Sequence, residues 1–483
     1  MKKYFSFLLV LQSVFGLLNA VSAQEKILRL EDAVRMAREN SFEYTSARNR
    51  LQTGIWRHEN FKASFLPTLY MDGTVPNYSR AISKITLPTG EDTFVGQNQA
   101  YSSANLGIRQ NVGLTGGTFS VKSSLNRIDV FGNGRQTRYS ATPFSMSYSQ
   151  NAIGYNAFSW QKKIEPLQME ASNRQYASDM ERIAGQAVVY FFNTLSAKAR
   201  YELSQQNIAN ADTLYRITQD RFKLGNIAQS SLLQLKLNTL NARKQLDQDS
   251  VDYLLAKKQF AKYLRLPDGD FGVMLEDDIP FFDIPYEDAL HHANSNGRNV
   301  VDFRLQRLNA EQEIAQTKAQ SGLKFDLNAN FGMTNTARNI GGLLRGMENQ
   351  QQVSVGFSLP IMDWGYARTQ RQRAESNLAM VESEIEQQQL QIEQEIALYT
   401  SRWDLQKRQF AVARETRAIA SQNYGLEVDR FLRGSISIND LNAAQQQKDN
   451  AANAYIEAVR AYWELYYTLR RLTLYDFRAG RRL

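Results

Sequence analysis

Few residues in this chain have types and spacings that could do bond-making chemistry. Ser159-Trp160-Gln161-Lys162 has the Ser-x-x-Lys spacing with which a lysine activates a serine nucleophile, but no companion motif accompanies it. Gly132-Asn133-Gly134 reads as a turn and lacks the third glycine of a nucleotide-binding loop. His58, His291 and His292 are the only histidines, and the adjacent pair would point apart on a helix instead of sharing a metal. Glu276-Asp277-Asp278 suits a solvated linker better than a calcium site. Cysteine is absent, which excludes thiol catalysis and Cys-based metal centres. These observations imply no catalytic site, no metal and no cofactor. The elements of the chain must therefore carry its function.

The first 23 residues read as a secretory signal. Lys2 and Lys3 form a basic start, Phe5 to Leu18 a mostly apolar core, and Val21-Ser22-Ala23 the small residues before a cut ahead of Gln24. An uncleaved membrane anchor is the alternative, though the apolar run is short for it. A secreted chain without disulfides is held by packing or assembly. Mean hydropathy is −0.47, and no run of 18 apolar residues follows the signal. That excludes a bundle of membrane helices and leaves a β-barrel as the way to cross a bilayer. The formal charge of +8 is scattered, as on a solvated surface, and does not form a nucleic-acid footprint.

The chain also repeats itself. Leu30-Glu31-Asp32-Ala33-Val34 recurs as Tyr286-Glu287-Asp288-Ala289-Leu290, displaced by 256 positions. Arg221-Phe222-Lys223-Leu224-Gly225-Asn226-Ile227 recurs as Arg430-Phe431-Leu432-Arg433-Gly434-Ser435-Ile436, displaced by 209. The first copy thus carries 47 more residues between these marks. Two long copies of a helix–strand–helix plan fit a pseudo-symmetric protomer, and they are far longer than solenoid repeats of roughly 20–50 residues. The expected organisation is a signal over 1–23, a first repeat over 24–265, a linker over 266–285, a second repeat over 286–474 and a tail over 475–483.

Residues 24–64 look helical, with a break at Asn40-Ser41, and Pro67 ends the helix. From 67 to about 150 the period becomes two. Ala104, Leu106 and Ile108 alternate with Asn105, Gly107 and Arg109, and Phe144, Met146 and Tyr148 alternate with serines. One-sided apolar strands suit a barrel wall with lipid outside and water inside, although soluble sandwiches show the same alternation. A long helix is expected over 158–224, with Pro166 as a possible kink, and a return helix over 230–264. In the second repeat, helices are expected over 286–296 and 299–320, and strands within 325–359. A second long helix is expected over 367–433 and its return over 438–472. The long tract would span ~100 Å at 1.5 Å per residue. Leu378, Ile385, Ile392 and Tyr399 lie seven apart, interleaved with Ile396, Trp403 and Phe410, which is a coiled-coil seam.

One protomer supplies too few strands to close a barrel, and an open sheet edge cannot sit in lipid. Copies of the chain must therefore share a wall, with the long helices forming a tube below it. At this point the residues match a family. The mature chain resembles the TolC-like outer-membrane efflux and secretion ducts. The resemblance is carried by the doubled Glu-Asp-Ala opening, Phe65-Leu66-Pro67 before the strands, Leu359-Pro360-Ile361-Met362-Asp363-Trp364-Gly365 at the return to helix, and the doubled Phe-x-x-Gly turn. It implies a mainly α homotrimer with a 12-stranded barrel, four strands per protomer, and a periplasmic coiled-coil tunnel. It implies passive export from a periplasmic adaptor (membrane fusion protein) and inner-membrane pump, through the outer membrane of a Gram-negative bacterium.

The resemblance also suggests sites. The turns with Phe222, Leu224, Gly225 and Asn226, and with Phe431, Leu432, Gly434 and Ser435, would lie at the inner tip and dock an adaptor's helical hairpin. Simple helix capping is the plainer reading of their glycines. Asp440 falls where relatives carry a tunnel-mouth acidic residue, so three copies would form an anionic ring beside Phe431. A capping or solvated aspartate is the alternative. Where some relatives place Tyr, Arg and Asp, this chain has Phe431, Ile436 and Ser231. Tyr155, Trp160, Trp364 and Tyr366 would form an aromatic girdle against outer-membrane lipid, or else pack in a core. The extra residues of the first repeat contain Leu114-Thr115-Gly116-Gly117, a candidate turn between two more strands. That hairpin could join the wall, but an elaborated outer loop is the preferred expectation. A secreted trimeric coiled-coil adhesin is the rival for the whole chain, and it explains the strand hairpins poorly.

Overall fold

The computed structural model describes residues 26–132, 134–151, 154–224, 227–266, 271–275 and 279–483. The proposed signal, Asn133, Gly225, Asn226 and Glu276-Asp277-Asp278 lie outside the described residues. The chain forms two compact units, and each draws on both halves of the sequence. One contains residues 52–172 and 301–389, and the other contains the remainder.

The first unit holds a six-stranded antiparallel sheet. Its strands are β2 (Thr68–Thr86), β3 (Asp92–Asn111), β4 (Thr118–Val130), β5 (Gln136–Gln150), β7 (Lys324–Ala337) and β8 (Glu348–Ser358), paired in that order. The period-two pattern dictates their faces, because successive side chains point to opposite sides of a strand. Leu69 and Met71 sit opposite Ile108 and Leu106. Ile108 in turn faces Val121, and Val121 faces Met146. The band continues through Phe331 and through Ala329 opposite Val353. Ser, Asn and Gln fill the other face. There Ser120 and Ser147 hydroxyls meet at 2.7 Å, and the Ser145 and Ser149 hydroxyls donate to Asn330 and Asn328 at 2.9 Å each.

The preference for an elaborated outer loop is corrected here. β3 and β4 continue the ladder, with Gln99↔Val130 through Asn111↔Thr118 in unbroken register. Their turn is fastened at the helical end of the sheet. The Asn156 amide donates to the carbonyls of Gly113 and Leu114, and the Asn111 amide donates to that of Ser64. The physical cause is complementarity on both faces, since an added hairpin with the same alternation loses nothing by pairing.

The second unit is helical with a buried aromatic core, and four of the chain's helices are divided between the two units. Helices α1 (Leu30–Asn40) and α2 (Phe42–Ala63) break at Ser41, whose hydroxyl accepts from the Tyr44 amide. Helix α3 (Ala157–Lys223) runs through Pro166, and α4 (Gln229–Leu264) returns. Helices α5 (Tyr286–Asn296), α6 (Arg298–Ser321), α7 (Tyr366–Leu432) and α8 (Ile438–Thr473) follow in the same order. Lengths recur between the halves: α1 and α5 have 11 residues each, α3 and α7 have 67, and α4 and α8 have 36. The seam expected on α7 is buried at Ile396, Trp403 and Phe410, which pack with Tyr455, Val459, Tyr462 and Tyr466 of α8. Each such side chain contributes roughly 1.5–3 kcal/mol.

The expectation of helix from residue 24 is also corrected. β1 (Lys26–Leu28) is a strand, paired in parallel with β6 (Phe271–Val273) of the linker. Burying Leu28, Phe271 and Val273 in the same cluster favours that pairing. After α8, β9 (Tyr475–Asp476) and β10 (Arg481–Arg482) form a short hairpin. The Arg470 guanidinium lies within 2.7 Å of both Glu181 and Asp476, and Arg38 reaches Glu181 at 2.6 Å.

Candidate functional site

The turn between α7 and α8 closes by a Schellman arrangement. The Ser435 amide donates to the Arg430 carbonyl and the Gly434 amide to that of Phe431, both at 2.9 Å. Gly434 sits at φ +78°, in the left-handed region that suits glycine. Helix α8 then starts with a capping box. The Ser437 hydroxyl accepts from the Asp440 amide at 3.3 Å, and the Asp440 carboxylate accepts from the Ser437 amide at 3.0 Å. Asp440 is exposed, and the Ser437 hydroxyl and amide hold its carboxyl below the usual carboxylate range. It therefore caps a helix and keeps its negative charge.

The turn after α3 is described up to Leu224. Phe222 is 38% and Leu224 is 75% exposed, so two apolar side chains face solvent there. Phe431 and Leu432 are half-buried, and Phe431 packs on a small cluster of Tyr424, Leu441, Ala444 and Ile436. The two turns are tied together by the Arg221 guanidinium, which donates to the Leu432 carbonyl. Between them lies a cleft of about 690 Å³, lined by Arg221, Ser231, Leu235, Phe431, Gly434 and Ile438 among others. Sequence reasoning missed Arg221 and Ser437. The arginine doubled at 221 and 430, and the Ser-x-x-Asp spacing at 437–440, were the signals available.

A second group lies where the sheet passes into helix. Asp363 starts α7 by accepting from the Gly365 and Ala367 amides at 3.0 and 2.9 Å. Trp364 beside it adopts φ +53° and is 92% exposed, next to Ile361 at 96%. Tyr366 is exposed as well. Tyr155 is half-buried, and its hydroxyl accepts from the Gln312 amide at 3.0 Å. Trp160 is half-buried under the Lys163 ammonium, 4.8 Å from the ring centroid. Trp364 and Tyr366 are exposed, whereas Tyr155 meets Gln312 of α6 and Trp160 lies under Lys163 of its own helix.

Among the described residues no cluster of three or more His, Asp or Glu is arranged to hold a metal. No described helix is long and apolar enough to cross a membrane. Ser159 and Lys162 fall in the first turns of α3, where the Lys162 ammonium lies over the Phe65 ring at 5.0 Å. His292 stacks on Tyr475 with ring centroids 3.7 Å apart.

Residues 289–473 match the family described as "Outer membrane efflux protein". A search of curated proteins finds no sequence match. Among solved structures, the chain is similar to the Campylobacter jejuni CmeC outer membrane channel, with a TM-score of 0.66 and 16% identity over 92% of this chain and 85% of that one. The outer membrane protein VceC from Vibrio cholerae gives 0.60 and 14% over 92% and 95% of the two chains. A membrane protein from Pseudomonas aeruginosa gives 0.65 and 14% over 95% and 93%. At these identities the structures speak for the fold alone. The family match falls on the second half of the chain, and the two-faced sheet with its long paired helices has the fold of these outer membrane channel structures.

Proposed function

We propose that this chain is the outer-membrane duct of a tripartite efflux or type I secretion assembly, working as a homotrimer that conducts passively. The observation that carries this reading is the sheet. It has one apolar face, one hydroxyl- and amide-lined face, and two unpaired edges at β2 and β8. Such edges are untenable in lipid unless other copies cover them. The solvent-facing Phe222 and Leu224, with the cleft beside Phe431, support docking of an adaptor's helical hairpin at the turns. An inner-membrane pump then supplies the energy, because nothing in the described residues resembles a nucleotide site.

The test has two readouts. Purified mature protein in a planar bilayer should conduct. A photo-crosslinker replacing Phe222 in cells should trap a periplasmic adaptor. Conductance without crosslinks would remove the docking site. A trimer that seals without conducting would favour the rival adhesin reading.

A further inference from the structure

The six-stranded sheet has a consequence for pore size. Counting from β2, alternate strands run in opposite directions, so β8 is antiparallel to β2. Placing the β2 edge of one copy beside the β8 edge of the next keeps every neighbour antiparallel. Any ring of copies therefore closes with a multiple of six strands. Both faces cross β3 and β4 without interruption. On the apolar side, Leu106 and Ile108 lie between Met71 and Leu69 of β2 and the β4 strand bearing Val121. On the polar side, the Asn105 amide donates to Asp72 at 2.7 Å, and the Tyr101 hydroxyl donates to Asn126 at 2.8 Å. The β3–β4 turn is pinned at the helical end by Asn156 and by the Gln150 amide, which donates to the Thr115 carbonyl at 2.7 Å. A decoration on the outer rim would have none of these ties.

We propose that β3 and β4 are wall strands, so that three copies close a barrel of 18 strands wide enough for polypeptide-sized cargo. This rests on the trimeric duct reading above. Barrel diameter grows about linearly with strand number, so 18 strands give a wall ~1.5-fold wider than 12. With strands ~4.8 Å apart and tilted ~40°, the backbone ring is ~36 Å across. A helix with its side chains is ~10–12 Å thick, so a helical hairpin passes such a lumen. Size selection then falls to the helical turns and not to the membrane-level pore.

The absence of native cysteine allows a direct test. Single replacements Asn105→Cys and Ser120→Cys sample the polar face, and Ile108→Cys and Val121→Cys sample the apolar face. In trimers reconstituted into vesicles, a membrane-impermeant maleimide should label the first two and spare the second two. Equal labelling of all four would overturn the wall assignment while leaving the duct reading intact. Native mass of the solubilised assembly should give three copies, and two copies would overturn the count of 18. Graded polyethylene glycols added from the barrel side should enter up to a size ~1.5-fold larger than in a variant lacking residues 92–130. An unchanged cut-off in that variant would also overturn the proposal. Alternating labelling with no conductance would instead sink the duct and keep the sheet.

Discussion

Gly434 and Asp440 divide the labour of one turn. Nothing lies within 4 Å of a Cβ built at Gly434, so strain and bulk can be separated there. Gly434→Ala should lower stability by ~1–2 kcal/mol through its left-handed backbone and leave export intact. Gly434→Trp should assemble as a trimer yet lose export, because the ring fills the cleft. Drug-susceptibility assays beside trimer yields read both effects. Asp440→Asn keeps an oxygen to accept from the Ser437 amide and removes the charge. Cation block of the pore should weaken measurably in bilayer recordings. The Asp440 carboxyl is held below its ordinary value, so its ionised form is the one favoured by folding. Its contribution is present above an unfolded pKa of about 3.9 and is lost as pH falls through the lower folded value. Block should therefore be flat between about pH 8 and 5, and a midpoint inside that window would exclude Asp440 as its source. The turn glycine was read from the sequence, whereas the Ser-x-x-Asp spacing at 437–440 stood there and was passed over. The Arg221 tie was not legible there, because 211 positions separate it from Leu432.

The elements were the most legible level, and the reasons are local. Proline and glycine punctuate the chain at Pro67, Pro360 and Gly434, and the seven-residue series on α7 marks the buried seam. Four-stranded and six-stranded sheets share the same alternation, so the sequence could not place β3 and β4 in the ladder. Pairing of β1 with β6 was equally hidden, since three residues carry too little pattern to mark a strand. Charge pairing across the chain was also invisible. Arg470 reaches Glu181, 289 positions away, and Asp476 in the tail. Arg470→Ala would leave Asp476 without a cation and Glu181 with Arg38 alone, and should cost about 3 kcal/mol. Thermal unfolding of the purified protein measures this, and a shift below ~1 kcal/mol would show the network to be solvated.

At the scale of the whole molecule, the absence of disulfides and the unpaired β2 and β8 edges place assembly at the centre of stability. No chain of this kind can insert alone without leaving strand edges in hydrocarbon. The fold class and the two-faced strands were readable because each follows from composition and period. The strand count was not readable, because it depends on which hairpins choose to pair.

The unequal strand lengths bear on the cell surface. A bilayer takes about 9–11 residues per strand, and β2 and β3 have 19 and 20. Their distal halves carry Arg80, Lys84 and Asp92, with the Lys84 ammonium 2.6 Å from the Asp92 carboxylate, a pairing suited to water. In the proposed duct that hairpin stands clear of the lipid by roughly its own spanning length again. Trypsin on intact cells should cut there while leaving the helices protected. In that proposed duct a hairpin of this height is the part of the chain that an antibody or a bacteriophage tail meets first.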